Sequence, residues 1–426
     1  MIPNVPTLTP KERMLKALRG EKPDVLPAAP CYLCLYLAES ERASYIEQYR
    51  RRMEGRIRYP IDHADDTQFR LVALAQSYNV LKAKPDWIEV GPGASKTWAE
   101  RTEIVLRNDI LCYEDKVSGV CVPMHAISIP CGDSPLSDAN PFEGDKNLLA
   151  TAVTHSDIDS QMPIVSREEW LARGDLDLPR LVAAEYGDKI FISTILDTPY
   201  SDIYGMLGFK GLMVTQRANP DLFQYILQRK LLQSKENVSA WADTGIHGVF
   251  VQEVFSGVDA ISPRNYDQFV FAYNQPYFQH MHSLGLSPIH YVCGDAVPRI
   301  ERMLECNIQM ERWDYGIEEV PRIERMLECN IAAVAFEESK KKFHIEIADI
   351  VDRVAGRVAV FGNIDSIRFG IQSTPEEMSA EVKRQSSIGA QARGFVVSTG
   401  SPFPLETDSR MIDTLIMTAH SISHQS

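Results

Sequence analysis

The second half of the chain carries a series of short apolar runs, and each ends in side chains that can do chemistry. IFISTIL (190–196) is followed by Asp197, Thr198 and Tyr200, and IHGVFVQEV (246–254) contains Glu253. SPIHYVC (287–293) brings His290, Tyr291 and Cys293, with Asp295 just beyond. Glu337 and Glu338 follow IAAVAF (331–336), Asn363 and Asp365 follow RVAVFG (357–362), and Ser401 lies just past GFVVST (394–399). Carboxyls and phenols at such places can move protons, so Glu253, Glu337 and Tyr200 are the catalytic candidates. Asp197, Tyr291, Asp295, Asn363, Asp365 and Ser401 are candidates for substrate contact. Ordinary structural roles stay open for some: Glu337 and Glu338 as a solvated helix entrance, Asn363 and Asp365 as turn caps. His290 and Cys293 are the metal candidates, because zinc favours imidazole and thiolate. Their spacing is i, i+3, whereas strand side chains share a face at i, i+2. The pair converges only if the chain leaves strand geometry, as it can at Gly294; Tyr291 is the residue that shares a face with Cys293.

The elements that must position these residues follow from the same runs. Short, nearly continuous apolar runs read as strands buried on both faces. Helical patterns at 221–242, 263–284, 297–305, 344–355 and 375–392 separate them. This alternation means parallel β/α units. With residues 25–34 and one further run the strands approach eight, so the expected fold is α/β, a TIM (β/α)8-type barrel. A doubly wound open sheet is the alternative. In a barrel, reactive groups collect at the strand C-terminal ends. Thr9-Pro10-Lys11-Glu12 opens an N-terminal helix within 1–24, and Gly20 stops it. Residues 35–185 read as a cap inserted after the first strand. Its stretch 98–130 predicts antiparallel hairpins broken at Asn108-Asp109 and Ser118-Gly119. Residues 186–420 hold the main barrel units. VPRIERMLECNI occurs at both 297–308 and 320–331. Two copies are too few for a solenoid, so 309–331 reads as a local duplication that adds a helix segment to a single 1–426 domain.

The composition narrows the function classes. The 426 residues carry 44 Lys+Arg against 58 Asp+Glu, a net charge of −14, which argues against a nucleic-acid partner. No apolar run approaches a membrane span, and the N-terminal stretch has no signal-like apolar core. The expected location is the cytoplasm. There Cys31-x-x-Cys34 reads as two small buried side chains more readily than as a redox or metal pair. No G-x-G-x-x-G or phosphate loop supports nucleotide binding.

Taken in order, TPKERMLKALRGEKPDVLPAAP (9–30), GFKGLMVTQRANPDLFQYIL (208–227), the dense stretch 241–295, VFGNIDS (360–366) and STGSPFPLETD (398–408) resemble the uroporphyrinogen decarboxylase superfamily. Within it, the chain looks most like the corrinoid-linked methyltransferases. The resemblance implies a TIM barrel, a corrinoid cofactor carried by a partner protein, and a small-molecule methyl donor or acceptor. Zinc-dependent members that methylate thiols use an H-x-C pair and a distant cysteine. Here Cys293 falls on the pair's cysteine, Tyr291 on its histidine and Ser401 on the distant cysteine, so zinc is an open cofactor. The arginine-rich segment with which the decarboxylases grip porphyrin has no counterpart in APCYLCLYLAESER (29–42). The expected function is corrinoid-dependent methyl transfer. A lyase acting on a carboxylic acid and a non-catalytic barrel are the alternatives, and a homo-oligomer is compatible with the fold.

Overall fold

The structure is a computed structural model that describes residues 6–34, 36, 58–60, 82–93, 95–108, 110–123, 154–304, 331–339 and 343–423. Eleven strands are found among them: β1 (Arg58–Pro60), β2 (Trp87–Glu89), β3 (Thr102–Arg107), β4 (Ile110–Asp115), β5 (Cys121–Pro123), β6 (Phe191–Asp197), β7 (Gly248–Glu253), β8 (Ser287–Val292), β9 (Ala333–Phe336), β10 (Ala359–Phe361) and β11 (Phe395–Val396). Seven form one parallel sheet in the order β11-β10-β9-β8-β7-β6-β2. Residues 27–29 complete the ring. The Ala29 amide donates to the Val397 carbonyl, the Val397 amide donates to Pro27, and on the other side the Asp86 amide donates to Ala28. The fold is TIM-barrel-like, and the short apolar runs of the second half are its strands.

One barrel strand comes from an unexpected place. Trp87–Glu89 lies inside the stretch read as cap, yet it pairs in parallel with β6 in the register Glu89 to Ser193. The cap is therefore split into a part before β2 and a part after it. The hairpins of the later part are as predicted: β3 and β4 pair antiparallel, as do β4 and β5. Their turns hold Asn108 and Gly119 at positive φ. Of the duplication, Ile300–Leu304 is a helix with Ile300, Met303 and Leu304 buried. The end of the first copy, with Cys306, and most of the second, with Cys329, lie outside the described residues.

Alternation along the strands sorts side chains into two cores. Trp87, Phe191, Phe250, Ile289, Tyr291, Ala333, Ala335, Phe361 and Val396 point into the ring. Met14, Ala17 and Leu18 of the helix Pro10–Arg19 seal its N-terminal end. Val249, Val251, Val292, Val334 and Phe336 point outward against the helices.

The closure is fastened by one carboxylate. Asp86 is fully buried just before β2. Its Oδ2 accepts from the Ala28 amide at 2.7 Å and faces His420 Nε2 at 2.8 Å, while its Oδ1 accepts from Arg13. Arg13 also donates to Asp24 at 2.9 Å. Burial would lift the Asp24 pKa, but Arg13 and the Leu8 and Val25 amides hold it well below the usual carboxylate range. Removing one partner of a buried ion pair leaves an uncompensated charge. Asp86→Ala is therefore expected to lower the unfolding free energy by about 3–5 kcal/mol. Urea denaturation measures this, and a loss below about 0.5 kcal/mol would mean the ring does not depend on Asp86.

Candidate active site at the barrel mouth

Register decides which polar residues reach the interior. Asp197 stands opposite Gln252, Gln252 opposite Tyr291, and Tyr291 opposite Ala335, so all four share the inward face at the C-terminal end of the ring. Glu89 shares that face through Trp87, two residues earlier on β2. Cys293 packs against the same interior cluster. Glu337 and Glu338 follow β9. Glu337 accepts from the Gly294 amide at 3.0 Å, and Glu338 accepts from Ser401 Oγ at 2.7 Å. Gly400 has no room for a side chain, since a Cβ there would lie 2.3 Å from the Glu338 amide nitrogen. Tyr291 spans the mouth and donates its hydroxyl to the Gly400 carbonyl at 2.8 Å.

The segment 31–34 folds over this end of the ring. Tyr32 has φ +49°, a strained value for a bulky residue. In that conformation its amide donates to Glu89 Oε1 at 3.3 Å and its hydroxyl donates to Gln252 Oε1. Its ring meets Phe250 and Tyr291 edge-on, with centroids 5.7 and 6.1 Å apart. The Cys31 amide donates to Thr399 Oγ1 at 3.2 Å.

The electrostatics of the mouth favour protonated acids. Burial pushes the Glu89 pKa up to about 8, against the lowering effects of the Cys34 thiol and the nearby amides. Desolvation within the concave mouth, helped by Asp202 and opposed by Lys230, pushes Asp197 up to about 7 even though solvent reaches its carboxyl. Burial also raises the Cys31 thiol and the phenols of Tyr32 and Tyr291. Groups that titrate near neutral pH in a cleft are suited to proton transfer.

Comparison with known proteins places the chain in a family. The sequence model of the family described as uroporphyrinogen decarboxylase (URO-D) matches residues 176–422. The chain belongs to this family. No curated protein matches the chain. A solved structure described as a methyltransferase from Methanosarcina mazei aligns with a TM-score of 0.58 at 15% identity, over 97% of this chain and 98% of that one. At that identity the likeness concerns the fold.

Within this URO-D barrel, the sequence candidates separate into those at the mouth and those elsewhere. Asp197, Tyr291, Cys293, Glu337 and Ser401 gather at the mouth. Glu253 does not, because it stands in register with the outward Val292. Its carboxylate is buried behind the sheet, where it faces His290 Nε2 at 3.0 Å and accepts from Ser256 Oγ and Asn274 Nδ2. Tyr200 is fully buried in the same outer layer, packed edge-on against Phe223. Asp365 caps the helix Ser366–Ile371 through the Ile367 and Arg368 amides. Asn363 is tied to Gln385 and the Ile345 carbonyl. Asp295 lies in a loop, its carbonyl bonded to the Val258 amide; partial burial and then Asp259 raise its pKa, with Arg299 opposing.

His290 and Cys293 face opposite sides of the sheet, so they do not form a metal pair. The histidine place of the family's zinc set is held by Tyr291 and the distant cysteine place by Ser401, which is bonded to Glu338. These residues do not fit that zinc set. Among the described residues, no group of three His, Cys, Asp or Glu side chains is arranged to hold a metal ion. A cavity of about 450 Å³ is at the other end of the barrel beside Ala17, Arg393 and Phe395, away from the strand C-termini. Glu89, Tyr32 and Gln252 were absent from the sequence candidates. The signal for Glu89 was WIEV (87–90), an apolar run with a carboxylate, but it is too brief to read as a strand.

The outer pair is a matter of stability. Burial raises the Glu253 pKa, but attraction to His290 and hydrogen bonds from His290, Ser256 and Asn274 outweigh this and lower it. The stabilisation is complete above the ordinary glutamate value and is lost as pH falls through the lowered one. Glu253→Ala is expected to cost about 3–5 kcal/mol in urea denaturation at neutral pH. A cost below about 0.5 kcal/mol would contradict the structural assignment.

Proposed function

We propose that this chain is a methyltransferase that moves a methyl group between a small molecule and a corrinoid carried by a separate protein. The observation that carries the reading is the mouth itself. Protonatable groups (Glu89, Asp197, Tyr291 and Glu337) ring the C-terminal end of a URO-D-family barrel, and the similar fold from Methanosarcina mazei is described as a methyltransferase. When it is bound at the mouth, the corrinoid supplies the carbon–cobalt chemistry. The chain's residues bind and orient the small molecule and exchange a proton with its leaving atom. Asp197 stands at the exposed rim, where a partner would present its cofactor. The segment 29–42 offers no arginine cluster to grip a polyanionic porphyrin, which disfavours decarboxylation of that substrate class. No helix among the described residues is long and apolar enough to cross a membrane.

Methyl transfer can be followed by the absorbance change of cobalamin, free or on a corrinoid protein, with a panel of methylated donors. The expected outcome is a donor-dependent change that falls about 100-fold or more in Asp197→Asn, as for loss of one acid–base group. No change with any donor, or carbon dioxide release without corrinoid, would overturn the reading.

A further inference from the structure

The second sheet, in the order β1-β3-β4-β5, brings two thiols onto one face. In its last ladder Glu114 stands opposite Cys121 and Cys112 opposite Pro123, so Cys112 and Cys121 are diagonal neighbours on adjacent strands. Residues two apart on a strand share a face, and diagonal partners lie about 7–8 Å apart, within reach of each other's side chains. Both cysteines are free, and they differ in access. Cys112 is 4% exposed, whereas Cys121 lies open to solvent. The Cys112 thiol donates to the Ile110 carbonyl at 3.6 Å.

The surrounding groups widen this difference. Arg107 on β3 shares the face, where its guanidinium pairs with Glu114 and donates to the Cys121 sulfur. Burial, and then Cys121 and Glu114, push the Cys112 thiol up to about 11, against the pull of Arg107. Cys112 is therefore slow to ionise and shielded from solutes, and Cys121 is the thiol that a dissolved oxidant meets first. Among the described residues the pair has no third His, Cys, Asp or Glu placed to share a metal ion, so thiol oxidation is the chemistry it can support.

We propose that Cys121 and Cys112 are a reversible oxidation site, whose substrate class is a small hydroperoxide such as hydrogen peroxide and whose product is a disulfide between β4 and β5. The Cys121 thiolate attacks one peroxide oxygen. A sulfur–oxygen bond forms, the oxygen–oxygen bond breaks, and the departing hydroxide takes up the thiol's proton as water. Sulfur gives up two electrons, and the peroxide takes them. Cys112 then loses its proton and attacks the Cys121 sulfur. The sulfur–sulfur bond forms, the sulfur–oxygen bond breaks, and the second hydroxide leaves as water with that proton. The sum is two thiols and one hydrogen peroxide to one disulfide and two waters.

The bridge asks for some movement. Bridged cysteines usually have Cα atoms about 4.4–6.8 Å apart, closer than a diagonal pair. β5 can supply the shift, because it is an edge strand of three residues. Closure draws this strand onto β4, and the strain leaves the bridge easy to reduce, as a reversible site needs.

The test treats the full reduced chain with hydrogen peroxide and maps its cysteines by mass spectrometry. Lys116 lies between the two cysteines, so trypsin leaves the bridged peptides joined, and fragmentation tells Cys121 from Cys131. The expected product is a Cys112–Cys121 link that dithiothreitol removes. In Cys112→Ser the Cys121 sulfenic acid has no partner, and its capture by dimedone is expected to rise at least about tenfold over wild type. In Cys121→Ser, Cys112 is expected to stay reduced under the same treatment. Methyl transfer does not enter these readouts, so they stand or fall apart from the function proposed above. The proposal is overturned if wild type keeps both thiols, or if Cys121 is carried to sulfinic acid without a bridge. It is also overturned if Cys121 links to any other cysteine or to a second chain, or if dimedone capture is the same in wild type and Cys112→Ser.

Discussion

The barrel depends on the buried carboxylate of Asp86. It binds Arg13 of the first helix, the Ala28 amide of the first barrel segment and His420 of the last helix, and it lies at the threshold of β2. These groups are far apart in sequence, and no apolar contact could specify their meeting as sharply. A charge this deep is costly unless every partner is present, so the ring closes in one arrangement. That arrangement also sets the site. Residues 27–29 are held between β11 and β2, so the following segment, 31–34, must pass over the ring, and this passage puts Tyr32 on Glu89 and Gln252.

A second constraint is the alternation of side chains across the sheet. It divides the chemically capable residues into two groups whose surroundings are quite different. On the outer face, Glu253 and His290 satisfy each other with help from Ser256 and Asn274, and this network ties two strands to the helix Ala272–Ser283. On the inner face, no ion pair to Glu89 or Asp197 is found among the described residues, and desolvation raises both toward neutral pH, against a modest opposing pull from Lys230 on Asp197. Both oxygens of the outer carboxylate are engaged by its neighbours, whereas Oε2 of Glu89 has no hydrogen-bond partner among the described residues. That difference, more than residue type, separates structure from chemistry in this molecule.

Much of the fold was legible in the sequence because its signals are local. Continuous apolar runs such as IFISTIL and HGVFVQE gave the parallel strands, and Thr9-Pro10-x-Glu12 gave a helix with its capping box. The hairpins at Asn108 and Ser118-Gly119 were also readable, since those turns require positive φ. Facing was harder. Glu253 looked catalytic because it ends a strand, but whether it points inward depends on register with β8. The i, i+3 spacing of His290 and Cys293 did warn that the two face apart, and they do. Glu89 was missed because β2 has only three residues, and a strand that brief is specified by its neighbours more than by its own pattern.

The central claim is that chemistry belongs to the inward face of the ring at the C-terminal strand ends. The most direct measurement is a crystal structure of the protein with its small-molecule methyl donor or acceptor bound. The account predicts the ligand inside the mouth, in contact with Glu89 and Tyr32 and within reach of Asp197, Tyr291 and Glu337. A ligand seated behind the sheet against Glu253 and His290, or in the cavity beside Arg393 at the opposite end, would contradict it.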